Sequence, residues 1–137
     1  MVSIGTAELA AWLDERSRSP PTLVDVREDA ERAVSTIPGS TGARDADAAV
    51  RTLAALDRRA PVVVYCSVGV RSARAARALT LAGHLDVRNL DGGLFAWANE
   101  GRALVADGSA AVRVHPFDAR WSRLLRRELR ASRRHGV

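Results

Sequence analysis

An α/β fold around a parallel sheet is the class this sequence predicts, and three observations carry it. Runs rich in β-branched and apolar residues, Thr22-Leu23-Val24-Asp25-Val26, Val62-Val63-Val64-Tyr65 and Val87-Arg88-Asn89-Leu90, read as strands, and the middle one is apolar enough to be buried on both faces. Stretches with apolar residues at helical spacing stand between them, and the links are short. The sole cysteine, Cys66, follows the most apolar run and opens a tight loop that leads into a helix, which is where α/β sheets commonly place their ligands.

Taken in order, Val2-Ser3-Ile4 is a short first strand, and Thr6 is the expected N-cap of a helix from Ala7 to about Ser17 with Leu9, Trp12 and Leu13 on one face. Pro20-Pro21 breaks it. The second strand ends in the charged cluster Asp25, Arg27, Glu28, Asp29 and Glu31, and Ile37-Pro38-Gly39 is a turn. Asp47 is the expected cap of a helix from Ala48 to about Arg58. After the central strand, Ala73, Ala75, Ala76, Ala78 and Leu79 favour a helix closed by Gly83. Asp91-Gly92-Gly93 then turns into a short helix carrying Leu94, Phe95 and Trp97, closed by Gly101.

The loop Cys66-Ser67-Val68-Gly69-Val70-Arg71-Ser72 is the candidate reactive site. A sulfur placed above a helix N-terminus meets backbone N–H groups without intrahelical partners and the positive end of the helix dipole, both of which favour a thiolate. Gly69 lets the loop bend with its amides inward as an anion cradle, and Arg71 adds a permanent positive charge. The competing reading is an inert buried cysteine, against which the coincidence of strand end, glycine, arginine and helix start weighs.

Composition bounds the rest. With 137 residues, 47% hydrophobic and 27% charged, the chain is long enough for one real core, built from Ala, Val and Leu with Trp12, Trp97, Phe95 and Phe117 as scarce large fillers. No apolar run approaches the ~18 residues of a membrane helix, and Met1 to Gly5 lacks the charged and apolar regions of a signal peptide, so a cytoplasmic location is expected. A single cysteine excludes an intramolecular disulfide and any Cys-only metal site; His84, His115 and His135 have no metal-ligand spacing, so neither metal nor cofactor is called for.

Charge divides the chain in two. Residues 1–106 hold 13 Arg against 13 acids, whereas residues 107–137 hold 8 Arg against 3 acids, so the excess of +5 sits in a basic C-terminal extension. From about residue 118 the spacing predicts a helix with Trp121, Leu124, Leu125 and Leu129 as an apolar stripe and Arg120, Arg123, Arg126, Arg127, Arg130, Arg133 and Arg134 around it. The stripe suits packing on the same domain or on a second subunit of a homodimer. The arginine face suits an acidic protein, an RNA or an anionic surface.

Several motifs in order resemble one known family. Asp25-Val26-Arg27-Glu28, Glu31, Ile37-Pro38-Gly39, the Tyr65 to Ser72 loop, and Leu90-Asp91-Gly92-Gly93 with Trp97 and Gly101 follow the pattern of the rhodanese-like sulfurtransferases, within residues 1–106. The chain departs from it at Arg32, where the family usually has an aromatic, and at Ser35-Thr36, where it has Gly-His. The resemblance implies a rhodanese-like fold, a five-stranded parallel sheet with helices on both faces, here followed by the extra basic helix. It implies that Cys66 carries a persulfide sulfur taken from thiosulfate or another anionic donor and passed to a thiol or cyanide. Ser67, Val68, Gly69, Val70, Arg71 and Ser72 would bind the donor and the anionic sulfur. Asp25 and Arg27, a charged pair at a strand end, are read from the residues as cleft support that fixes neighbouring loops through hydrogen bonds rather than as catalytic groups. Two alternatives stand beside it: a noncatalytic module presenting the anion cradle to a protein partner, and a cysteine phosphatase or arsenate reductase. Related phosphatases have Cys-x5-Arg, and the shorter spacing from Cys66 to Arg71 counts against that last reading.

Overall fold

The computed structural model of the chain describes residues 2–118 and 120–132. Strands β1 (Val2–Ile4), β2 (Thr22–Asp25), β3 (Thr41–Gly42), β4 (Val62–Tyr65) and β5 (Val87–Leu90) form one five-stranded sheet in the order β1-β5-β4-β2-β3. Every pairing in it is parallel. Between the strands run α1 (Thr6–Asp14), α2 (Asp29–Val34), α3 (Ala46–Thr52) and α4 (Val70–Leu81); α5 (Gly93–Asn99) follows β5.

Side chains of β4 alternate between two cores, as the two-residue period of a strand requires. Val63 and Tyr65 join Ile4, Leu9, Trp12, Leu90, Leu94, Phe95 and Trp97 on the face covered by α1 and α5. Val62, Val64 and Cys66 join Val24, Ala49, Leu53, Ala75, Ala76 and Leu79 on the face covered by α3 and α4. β4 is buried at every position because helices cover it on both sides, which is why its sequence is uniformly apolar. Register aligns Asp25 with Tyr65 and Ile4 with Leu90, so the chain beyond β2, β4 and β5 emerges at one sheet edge.

Helix ends differ from the sequence reading where backbone donors find other partners. α1 starts at Thr6 with Gly5 as N-cap and stops at Asp14. α3 is capped by Asp45, not Asp47: the Asp45 carboxylate accepts the Ala48 N–H at 2.8 Å, and the helix ends at Thr52. A hairpin, β6 (Leu104–Ala106) with β7 (Ser109–Ala111), adds to the elements that the sequence predicts. Its two-residue turn Asp107-Gly108 has positive φ at both positions, the Asp-Gly signature of a tight hairpin.

The largest correction concerns the C-terminal extension. In place of a continuous helix, residues 120–132 form two single 3-10 turns, Ser122–Leu124 and Arg127–Leu129. Asp118 does start the first turn, accepting the Trp121 N–H at 2.8 Å. The helix then fails because Asn99, at the end of α5, takes the groups that would continue it: its side chain donates to the Leu124 carbonyl at 2.9 Å and accepts the Arg126 N–H at 2.8 Å. Val114 captures the next stretch in extended pairing, donating to the Leu129 carbonyl and accepting from Ala131. Of the expected stripe, Trp121, Leu125 and Leu129 pack on the α1/α5 core, while Leu124 is 55% exposed. Arg133, Arg134 and His135 lie outside the described residues.

Candidate active site

Cys66 lies directly after β4 and is 1% exposed. Two backbone donors aim at its sulfur: the Gly69 N–H at 3.1 Å and the Ser72 N–H at 3.4 Å. Gly69 has φ +117°, a conformation that suits glycine and turns its amide inward. The Ser72 hydroxyl stands 3.4 Å from Sγ and donates its proton to the Asn89 carbonyl oxygen at 2.6 Å, while the Asn89 amide holds the Gly69 carbonyl at 3.2 Å. Asn89, on β5, therefore ties both halves of the loop to the sheet; its position in a strand offers no sequence signal for that role.

The loop is also gripped from behind. The first amides of α5, those of Leu94 and Phe95, donate to the carbonyls of Cys66 and Ser67 at 2.8 and 3.0 Å. Such an approach needs Gly93, because a Cβ there would lie 2.6 Å from both carbonyl oxygens. Asp91-Gly92-Gly93 is thus part of the site's scaffold as well as a turn.

Two arginine–carboxylate pairs stand at this edge. Asp25 and Arg27 are both fully buried and joined in a fork, Nε to Oδ1 at 2.9 Å and Nη2 to Oδ2 at 2.7 Å. Arg27 also donates to the Ser35 carbonyl at 2.6 Å, and Thr36 donates to Asp25 at 2.8 Å. The Tyr65 hydroxyl closes this network against Thr36, Ser40 and the Ile37 N–H. Burial, with the charge of Asp25 next, pushes the Tyr65 phenol well above its ordinary pKa and keeps it a neutral hydroxyl. Arg32, in the position of the family's aromatic, bonds to the Arg27 carbonyl and pairs with Asp29.

The second pair gives the loop arginine a partner: the Arg71 guanidinium forks onto Glu31 at 2.6 and 2.8 Å and donates to Ser67 Oγ at 3.0 Å. Glu31 is 2% exposed and also accepts the Glu28 N–H in the capping box that starts α2. Burial works to raise its pKa, but the hydrogen bonds and charge of Arg71, aided by Glu28 and Arg27, prevail and hold the carboxyl below its ordinary range. Glu31 is the site residue that sequence reasoning identifies as a motif letter without a role.

A cavity of about 170 Å³ opens on Cys66, lined by Ser67, Val68, Val70, Arg71, Phe117 and Trp121. The last two come from the C-terminal extension, and Arg71 stacks over the Phe117 ring at 4.1 Å. A wider groove of about 600 Å³, between α1 and Ile37-Pro38-Gly39, is lined by neither cysteine, serine nor histidine. Val70, of the expected binding loop, is 61% exposed at the rim. His84 is buried and His115 accepts the Phe117 N–H; neither histidine lines the Cys66 cavity.

Comparison with known proteins bears on the family and the fold. Residues 8–100 match the model of the rhodanese-like domain. A probable adenylyltransferase/sulfurtransferase, MoeZ of Mycobacterium tuberculosis, is 35% identical over 99 residues, which are 72% of this chain and 25% of that protein. The chain thus spans about a quarter of that relative's length. A sulfurtransferase of Allochromatium vinosum is 37% identical over 84 residues, 61% of this chain and 78% of that protein. The crystal structure of a rhodanese-like domain protein from Staphylococcus aureus superposes with a TM-score of 0.67 at 34% identity, covering 79% of this chain and all of that one.

Proposed function

The chain belongs to the rhodanese-like domain family, and on that premise we propose that it is a sulfurtransferase that carries a sulfane sulfur as a persulfide on Cys66. The observation that supports this best is the pair of amides, from Gly69 and Ser72, aimed at a cysteine sulfur that is reached through a small cavity. In the first half-reaction the Cys66 thiolate attacks the outer sulfur of a donor, the donor's sulfur–sulfur bond breaks, and the leaving group departs with the electron pair; thiosulfate would release sulfite. In the second, an acceptor thiolate or cyanide attacks the outer sulfur and Cys66 thiolate is released. Inward amides supply fixed donors to the charge on sulfur without reorganisation. Arg71 orders the wall of the cavity through Glu31 and Ser67, and Asp25 with Arg27 holds the neighbouring loops.

Intact-mass measurement after incubation with a sulfur donor tests the proposal: Cys66 should gain about 32 Da, the mass of one sulfur, and lose it to cyanide. Cys66→Ser should stay folded and retain less than about a tenth of the transfer rate, since a serine hydroxyl is not ionised near neutral pH. A serine variant as active as the parent would overturn the covalent mechanism.

A further inference from the structure

We propose that Phe117 and Trp121 make the cavity selective for a sulfur partner with an apolar carbon body, an organic thiol or persulfide, over a small inorganic dianion such as thiosulfate. This rests on the sulfur-transfer reading of Cys66 and narrows its substrate class.

Three observations lead there. Four of the seven residues lining the cavity are apolar side chains, Val68 and Val70 from the reactive loop and Phe117 and Trp121 from the C-terminal extension. Its one charged lining residue, Arg71, is already neutralised by both oxygens of Glu31 and covered by the Phe117 ring. A dianion entering here would leave water without gaining an uncommitted cation from the lining, whereas an alkyl group would gain contact with the aromatic walls. Finally, Phe117 has φ +66°, a region that bulky side chains rarely adopt, and it is held there over Arg71 by its N–H on His115 Nδ1. Strain of this kind persists where the surrounding structure imposes it, and here it places the ring over the reactive loop. Arg120 lies 5.1 Å from the Trp121 ring, and its effect on anions is read directly by the test below.

The step balances without a further reactant. An organic persulfide RSS⁻ gives its outer sulfur to the Cys66 thiolate; the RS–S bond breaks, a bond to Sγ forms, and RS⁻ leaves with the electron pair. Acceptance by RS⁻ is the reverse.

Because Cys66 is the sole cysteine, reagents that form a disulfide with it read the cavity apart from turnover. Methyl, propyl and butyl methanethiosulfonates are compared with the anionic 2-sulfonatoethyl reagent, each rate divided by that of the same reagent with N-acetylcysteine. In the wild type the normalised rate should rise up to about threefold per methylene until the cavity is full, and the butyl reagent should exceed the sulfonate by about tenfold or more. Phe117→Ala/Trp121→Ala should flatten the series to within about twofold, and Phe117→Leu, which keeps an apolar wall, should restore part of it. A flat wild-type series, or a preference for the sulfonate, overturns the proposal, and the wild-type measurement needs no variant to fold. Alanine variants as selective as the wild type overturn the assignment to Phe117 and Trp121. If the apolar preference holds while Cys66 takes up sulfur from neither thiosulfate nor butyl persulfide, the transferase reading fails and the chemistry of the cavity stands.

Discussion

Asp25–Arg27 and Glu31–Arg71 use the same forked chemistry at the same sheet edge, yet they stand in different solvent. Both partners of the first are 0% exposed; in the second, Glu31 is 2% exposed and Arg71 28%. Removing charged groups from water costs several kcal/mol per ion, and the first pair offsets this by bonding Ser35 and Thr36 as well. Its network never reaches the Cys66 cavity. Arg71 of the second pair lines that cavity with its charge paired to Glu31. A buried pair in this fold therefore specifies how loops join, and a half-buried one specifies what a neighbouring pocket will accept.

Breaking the inner pair should have the largest effect. Arg27→Ala leaves a buried carboxylate with Thr36 and one backbone N–H, and should cost about 3–5 kcal/mol in denaturant unfolding. A loss below about 1 kcal/mol would mean that the two pairs are equivalent and that burial does not distinguish them.

Glu31→Gln should cost about 1–3 kcal/mol, since a neutral amide replaces the acceptor of two charged hydrogen bonds. It should also speed the anionic reagent at Cys66 by several-fold, because Arg71 then has no countercharge. The same variant isolates a pH effect. The folded carboxyl of Glu31 titrates below its unfolded value of about 4.3, so its stabilisation is complete above that value and is lost as pH falls through the lower folded one. Unfolding measured from about pH 5 to pH 3 should show the wild type losing its advantage over Glu31→Gln as the solution is acidified; parallel curves would contradict this.

Arg71→Ala should have the smallest effect on stability, about 1–2 kcal/mol, because solvent reaches the guanidinium and water can replace part of what Glu31 loses. Apolar reagents should still reach Cys66, with the Phe117 ring left without its stacking partner. A stability loss matching that of Arg27→Ala would place Arg71 in the same structural class as Arg27.

Patterns that are local in the chain are legible from the residues alone. The apolar run Val62–Tyr65 requires cover on both faces, so a parallel sheet follows. The cysteine at its end, Gly69, and the alanine-rich helix locate the loop proposed to carry the chemistry. Cap positions are displaced by a residue or two because Asp45 and Asp47 carry the same side chain, and only backbone geometry selects between them. Glu31 is legible as a letter of a motif but not as the partner of a residue 40 positions away.

The C-terminal extension marks the boundary most clearly. Its spacing of Trp121, Leu125 and Leu129 correctly names residues that reach the core, and its helical period is nonetheless overruled, because a helix of marginal length is decided by tertiary contacts more than by propensity. Local patterns were enough for the parallel sheet, the cysteine loop after β4 and the family. Long-range packing set the rest: Asn99 takes the helix's hydrogen bonds, Arg71 pairs with Glu31, and Phe117 and Trp121 wall the cavity. Each of these depends on side chains far apart in the chain, whose meeting no local period encodes.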